Sequence, residues 1–178
     1  MRRPEARSEV TNPDLTRLTP EDARVALASF PRRYRAELSP VVGDDRAEEL
    51  AARFGPEGVS ALDAVSDVTR TWGLLSHELR RVQTLDDPTL HPAAMDPGAR
   101  HWDAAAPDSI DDALELLSHE ADQLTEAIRS YPTAAAWARP ATVTGGTRVT
   151  ALDLVREAVG VGAEGLRRVT DTLAAVRR

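Results

Sequence analysis

The sequence carries the same helix-start signal four times: a Ser or Thr, two further residues, an Asp, and then apolar residues at helical spacing. A hydroxyl at an N-cap accepts a hydrogen bond from a backbone N–H of the first turn, and an Asp three residues later lies at the positive end of the helix dipole. The four signals are Thr19-Pro20-Glu21-Asp22, Ser60-Ala61-Leu62-Asp63, Ser109-Ile110-Asp111-Asp112 and Thr150-Ala151-Leu152-Asp153. Their repetition predicts an all-α protein built as a bundle of four long helices.

These caps, together with the prolines and glycines between them, set the predicted boundaries. We expect the first helix to begin at Thr19, to kink or restart at Pro31, and to end by Pro40. A short amphipathic segment is expected over 45–54. The other predicted helices run over 60–83, over 109–130 and from 150 to the C-terminus. Residues 1–18 are expected to form a flexible extension, which places the bundle domain at 19–178.

Two connecting segments stand out. The connection over 86–107, between the second and third predicted helices, is rich in proline and long for a compact domain, which indicates either a lid or binding loop or a disordered segment. The segment 142–149 contains Gly145 and Gly146 and indicates a tight two-residue hairpin or an extended turn. No other segment is predicted to form a strand.

Composition excludes several classes of function. The net charge is −7 and all 22 basic residues are Arg, without a clustered basic face, so we expect no nucleic-acid partner. No apolar run approaches the about 18 residues of a membrane span, so we expect no membrane partner either. The absence of Cys removes thiolate ligands and thiol nucleophiles. The polar, Arg-rich start has no signal-peptide core, which favours a cytoplasmic protein, and the composition is typical of a high-GC bacterium such as an actinomycete.

Several short segments have an order and spacing that point to a family. They are 60–68 and 150–159 at two helix starts, Phe30-Pro31-Arg32-Arg33-Tyr34-Arg35, Leu85-Asp86-Asp87-Pro88 and Gly145-Gly146. With these segments the chain resembles the DinB/YfiT-like family over roughly residues 20–175. The resemblance implies a DinB-like four-helix bundle with a long loop between its second and third helices. The family includes mycothiol-dependent maleylpyruvate isomerases and bacillithiol or mycothiol S-transferases.

The resemblance also implies a site. Members of the family typically bind a divalent metal, often zinc or nickel, through one His on the second helix and a His-x-x-x-His pair on the fourth. The matching positions in this chain are Asp67, Gly160 and Glu164. Two carboxylates supply too few ligands for a hard cation, and Gly160 supplies none for zinc. We therefore expect the metal-binding His triad to be lost, with no metal and no cofactor. The histidines that remain are not at helix-facing ligand spacing: His77, His91, His101 and His119.

The helical pattern leaves two interpretations of the site positions open. On a helical wheel Asp67 and Glu164 both fall outside the apolar stripe of their helices, which by itself predicts solvated surface carboxylates. The resemblance implies instead that they face a shared cleft. Gly162 lies on the apolar seam and indicates close approach of a neighbouring helix. Gly160 and Gly165 lie off the seam, where missing side chains are expected to enlarge the cleft.

Three functions fit these observations. The first is a metal-independent enzyme that catalyses elimination, isomerisation or cyclisation of a reactive metabolite, in secondary metabolism for example. Asp67 and Glu164 would be its acid/base groups, because a partly desolvated cleft can separate the pKa values of two carboxylates. Arg70 and Arg156 would bind an anionic substrate or would only form ion pairs within their own helices.

The second function is a protein that binds or sequesters a metabolite without turnover. Its cleft would be enlarged at Gly160 and closed by the 86–107 connection through Met95, His101 and Trp102. The third is a non-catalytic subunit that docks on a partner through a face of the bundle. The resemblance also implies that the protein forms a homodimer or a heterodimer.

Overall fold

The four capping signals start the four long helices. In the computed structural model, which describes residues 14–38, 46–102 and 105–177, each N-cap hydroxyl accepts the N–H of the Asp three residues later at 3.0–3.3 Å. At Ser60 and Thr150 the Asp carboxylate also accepts the N–H of the cap residue, which completes a capping box. The prediction of four capped helices is confirmed.

Five α-helices make up the part of the bundle that the structure describes. They are α1 (Pro20–Leu38), the short α2 (Ala47–Ala52), α3 (Ala61–Thr84), α4 (Ile110–Arg129) and α5 (Ala151–Val176). α3 packs against α4 and α5, and α1 packs against the same two helices from the other side. Apolar side chains at intervals of three and four residues fill the space between them, with Phe30, Tyr34 and Trp72 among the largest that are fully buried. The expected all-α four-helix bundle is confirmed.

Pro31 lies inside α1, which runs without a break from Pro20 to Leu38. The expected restart at this proline is therefore wrong. Proline removes one backbone hydrogen bond of the helix, but Phe30 and Tyr34 on either side of it are both buried in the core and hold the two halves in register. The predicted stop at Pro40 lies outside the described residues.

A small sheet joins the ends of two connections. β2 (Pro140–Val143) pairs antiparallel with β3 (Arg148–Thr150) and parallel with β1 (Thr89–Leu90). The hairpin over 142–149 is confirmed, but its loop is longer than two residues. The Val143 N–H donates to the Thr147 carbonyl at 2.8 Å, and the loop turns through Gly145 and Gly146 at φ of 107° and 96°. These left-handed backbone angles suit glycine.

The connection after α3 is folded wherever the structure describes it. β1 anchors it to the hairpin through the Thr142 N–H, which donates to the Pro88 carbonyl at 3.0 Å. Two single turns of 3₁₀-helix follow at Pro92–Ala94 and Pro97–Ala99, and Ala94 is fully buried. β1 was not predicted, because two residues between prolines carry no periodicity. Of the two alternatives for the 86–107 connection, a disordered segment is therefore wrong up to residue 102. Residues 103 and 104 lie outside the described residues.

The end of the predicted extension also packs on the bundle. A single turn of 3₁₀-helix, Leu15–Arg17, precedes α1, and Leu15 and Leu18 lie against the core. Arg156 on α5 holds this segment by donating to the carbonyls of Thr16 and Leu18. The expected loose extension is therefore wrong for residues 14–18, and residues 1–13 lie outside the described part. None of the described helices combines the length and the apolar character that a membrane span needs.

Candidate functional site

A cavity of about 300 Å³ lies between α3 and α5, under the connection that follows α3. Asp67 contributes to its wall from α3, and Gly160 and Glu164 contribute from α5. Trp102 and Arg100 reach it from the connection. The structure therefore brings together the three positions that the resemblance assigned to the family's metal ligands.

Helical periodicity explains how the two helices supply this wall. On α5 the lining positions 157, 160, 161, 164, 165 and 168 recur at intervals of three and four residues, and on α3 the positions 64, 67, 68 and 71 do the same. Each set borders the buried seam of its helix, which leaves Asp67 half-buried and the Glu164 side chain 48% exposed at the edge of the cavity. This geometry favours the shared cleft over two separate surface carboxylates.

Asp67 is the least satisfied acid of the cavity. Its side chain is half-buried, and within the described part of the chain no group donates a hydrogen bond to its carboxylate. Burial raises the pKa of Asp67 above its ordinary value of 3.8, while the positive charges of Arg168 and Arg70 partly oppose this shift. The like charge that adds to the rise in pKa is Asp63 on the same helix rather than Glu164.

Glu164 is in the opposite electrostatic state. Arg167 donates to both of its carboxylate oxygens, from Nε at 3.0 Å and from Nη2 at 2.6 Å. This fork holds the pKa of Glu164 below its ordinary value of 4.5. The two cavity carboxylates therefore differ in the direction of their pKa shifts, upward at Asp67 and downward at Glu164.

A second ion pair closes the cavity on the side of the connection. Arg100 Nη2 lies 2.5 Å from Glu157 Oε1 on α5, and Arg100 Nε donates to the Ala93 carbonyl at 3.0 Å. Only 14% of the Arg100 side chain is exposed. This contact ties the 3₁₀ turns to α5 and positions Trp102 over the cavity.

Sequence reasoning missed three charged residues of this wall: Arg100, Glu157 and Arg168. Glu157 and Arg168 had a detectable signal, since they continue the face of α5 that carries Gly160 and Glu164. Arg100 had none, because its contact with Glu157 depends on the folding of an irregular connection.

The other predicted site residues lie elsewhere. Trp102 lines the cavity as expected, whereas His101 is exposed and is not part of its wall. Arg70 donates to the Ala105 carbonyl, and Arg156 holds the segment before α1 and pairs with Asp153 at 3.7 Å. Neither arginine lines the main cavity, so both hold backbone segments in place and Arg156 also makes the ion pair within its helix.

The glycines of α5 have different roles from each other. A Cβ at Gly162 would lie 2.7 Å from the Trp72 ring, which confirms the close helix approach. A Cβ at Gly165 would lie 2.2 Å from Val68 Cγ2, so the prediction that Gly165 enlarges the cleft is wrong, because α3 already occupies that space. At Gly160 a Cβ would meet Leu15 Cδ1 at 3.2 Å and no other residue of the described ranges.

These close approaches let two aromatic side chains reach the backbone of α5. Trp72 Nε1 donates to the Ala158 carbonyl and Tyr34 Oη donates to the Gly162 carbonyl, each at 2.8 Å. The Ala158 and Gly162 carbonyls are four residues apart and therefore lie on the same face of α5. The two bonds lock α5 against α1 and α3 directly behind the cavity.

The side chains of the cavity do not fit the family's metal. Among the described residues no three His, Cys, Asp or Glu side chains cluster as a metal site requires. Gly160 offers no donor, Glu164 is occupied by Arg167, and the guanidinium of Arg168 adds a positive charge to the wall. All four histidines are exposed.

Comparison with known proteins supports the architecture. No family model matches the sequence, and no curated protein matches it. Among solved structures the chain is similar to YfiT from Bacillus subtilis, described as a probable metal-dependent hydrolase with an unusual four-helix bundle topology. The TM-score is 0.67 over 97% of this chain and 91% of YfiT, at 12% sequence identity. The chain has a DinB/YfiT-like fold. At this identity the likeness concerns the fold alone.

Proposed function

We propose that this protein is a metal-independent enzyme that moves a proton on a small metabolite bound in the cavity between α3 and α5. The observation that carries the proposal is Asp67, a half-buried carboxylate on the cavity wall that accepts no hydrogen bond from the described residues. Such a group is costly to keep in a folded protein, and perturbed carboxylates of this kind concentrate at functional sites.

Asp67 and Glu164 would have separate roles. A carboxyl with a raised pKa gives and accepts protons more readily near neutral pH, which suits Asp67 for general acid/base chemistry. Glu164, kept ionised by Arg167, would stabilise positive charge that develops on the substrate or orient its polar groups. Elimination, isomerisation and cyclisation need only these proton transfers and no activated thiol. The scaffold would thus be a thiol-transferase type of bundle that has lost its His triad.

A second candidate function is binding without turnover. The Arg100–Glu157 pair ties the connection to α5 beside the cavity, and a cavity bordered in this way suits retention of a ligand as well as catalysis. The two candidates differ in whether the ligand leaves chemically unchanged.

The test is an activity screen with matched variants. The purified protein, Asp67→Asn, Glu164→Gln and the control Asp122→Asn, an exposed carboxylate on α4, are incubated with a bacterial metabolite extract, and the extract is followed by mass spectrometry. We expect the protein and the control to consume a compound that Asp67→Asn leaves largely intact. Binding of a compound that is recovered unchanged would favour sequestration, and equal turnover by Asp67→Asn would overturn the role of Asp67.

A further inference from the structure

The charges of the cavity wall specify the class of ligand more closely. Resting on the proposed function, we propose that the ligand is a small organic carboxylate whose anionic group binds Arg168 while its hydroxyl or amino group reaches Asp67. Arg168 and Asp67 both line the cavity, one from α5 and the other from α3.

Arg168 is the cation of this wall that has donors left for a ligand. Its nearest carboxylate is Glu164, at 3.6 Å from Nε to Oε1, which is beyond normal hydrogen-bond distance. Its two terminal amino groups donate no hydrogen bond to any residue that the structure describes. A guanidinium in this state presents the planar fork that binds a carboxylate with two parallel hydrogen bonds.

The other arginines near the cavity are already committed. Arg100 donates to Glu157 and to the Ala93 carbonyl. Arg167 lies outside the cavity wall and donates to both oxygens of Glu164, so Arg167 rather than Arg168 is the main partner of Glu164. The positive charge of Arg168 acts on both Asp67 and Glu164, and its terminal amino groups remain available to a ligand in the cavity.

The balance of charge favours a monoanion. Asp67, Glu157 and Glu164 line the cavity against Arg100 and Arg168, which leaves the wall slightly acidic. Arg167 on Glu164, just outside the wall, brings the local charge to zero, so a bound carboxylate leaves one net negative charge whereas a phosphate dianion leaves two.

The remaining wall is apolar and fits a compact body. Trp102, Val68 and Val161 face the cavity together with small residues. The volume of about 300 Å³ is at the lower end of the range for small-molecule sites. A hydroxy or amino acid with one ring or a short apolar chain would place its body on Trp102 between the two polar contacts.

The experiment compares carboxylates with their amides. Mandelate and salicylate are titrated against mandelamide and salicylamide by ligand-observed saturation-transfer NMR, with phenyl phosphate as the dianion. We expect the protein to bind the carboxylates and not the amides. Arg168→Gln should weaken carboxylate binding by roughly tenfold or more, since a charged bidentate contact is lost. Arg177→Gln, an exposed arginine just after α5, should bind as the unmodified protein does.

Three results would overturn the proposal: no carboxylate binding, equal binding of an amide, or equal binding by Arg168→Gln. Stronger binding of phenyl phosphate would overturn the assignment of a carboxylate. Because the Arg168 side chain is 41% exposed, Arg168→Gln should keep the thermal unfolding midpoint of the unmodified protein, and this is measured alongside. Failure of Arg168→Gln to weaken binding leaves the proton-transfer role of Asp67 intact. Turnover by Asp67→Asn equal to that of the unmodified protein would remove the role of Asp67 but would leave the proposed carboxylate contact with Arg168 unaffected.

Discussion

Gly165 on α5 lies so close to Val68 on α3 that a Cβ at Gly165 would fall 2.2 Å from Val68 Cγ2. The same Cβ would fall 2.6 Å from Tyr34 Oη, the hydroxyl that donates to the Gly162 carbonyl. Neither distance is tolerable between heavy atoms that are not bonded. Gly165 therefore sets the distance between α5 and α3 on the side of the core that borders the cavity.

Gly165→Ala should destabilise the fold. The extra methyl must push apart two packed helices, and overpacking of this kind costs about 1–3 kcal/mol, more than the about 1 kcal/mol that alanine gains over glycine within a helix. Gly160→Ala is the matched control, because among the described residues a Cβ there would approach only the flexible end of Leu15, at 3.2 Å. The control should match the unmodified protein or gain up to about 1 kcal/mol. Urea unfolding measures both, and equal midpoints would show that α3 and α5 separate freely at Gly165.

Thr150→Ala should lower the free energy of unfolding by about 1 kcal/mol, because it removes the hydroxyl that caps α5. The Asp153 N–H would lose its acceptor and the capping box would be broken. The control is Thr147→Ala, an exposed residue of the hairpin. A urea midpoint for Thr150→Ala equal to that of the control, at unchanged m-value, would show that Thr150 does not act as a cap.

The sequence predicted the long helices and their order well, for a physical reason. Caps and apolar spacing are local signals, so Ser60 and Thr150 could be identified without knowing their neighbours. The continuity of α1 through Pro31 could not be predicted, since it depends on the core contacts of Phe30 and Tyr34. Strand β1 was missed because its two residues pair only with a distant hairpin.

The candidate site was predictable only in part. The resemblance implied that Asp67 and Glu164 share a cleft, and both line one cavity, but the helical wheel alone would have placed both in solvent. For Arg70 and Arg156 the sequence left open either substrate binding or an ion pair within the helix, and Arg156 makes such a pair with Asp153. The long-range contacts of the arginines could not be predicted, for the same reason that β1 was missed. Arg156 is engaged by the segment before α1, and Arg100 reaches Glu157 from 57 residues away, so neither contact has a local signature.

Asp67→Asn should stabilise the protein relative to the unmodified chain at neutral pH. Burial raises the pKa of Asp67 in the folded state, so the folded protein holds that proton more tightly than the unfolded chain does. The stability linked to Asp67 is therefore present below its ordinary pKa of 3.8 and is lost as the pH rises through the folded value. Asn does not titrate, so the advantage of Asp67→Asn should shrink below pH 3.8.

Urea unfolding at neutral pH and below pH 3.8 measures the difference in stability between Asp67→Asn and the unmodified protein. Asp122→Asn is the exposed control. An Asp67→Asn variant that is less stable than the unmodified protein at neutral pH would mean that the Asp67 carboxylate is satisfied by a contact in the folded state.

The purified protein should carry no stoichiometric zinc or nickel, because Asp67, Gly160 and Glu164 supply no imidazole. Elemental analysis of the protein purified without chelators measures this, and about one metal per chain would contradict it. Gly160→His adds a single imidazole at that position. Its Cβ would meet Leu15 at 3.2 Å, so we expect zinc uptake by this variant only if the segment before α1 shifts.

The most direct test is an NMR titration of the side-chain carboxyl carbons of Asp67 and Glu164, assigned with Asp67→Asn and Glu164→Gln. The two carboxylates line one cavity but differ in environment, since one is desolvated and the other is bound by Arg167. We expect the Asp67 midpoint to lie above 3.8 and the Glu164 midpoint to lie below 4.5. Midpoints at the ordinary values for both residues would identify them as solvated surface carboxylates and would contradict the proposed site.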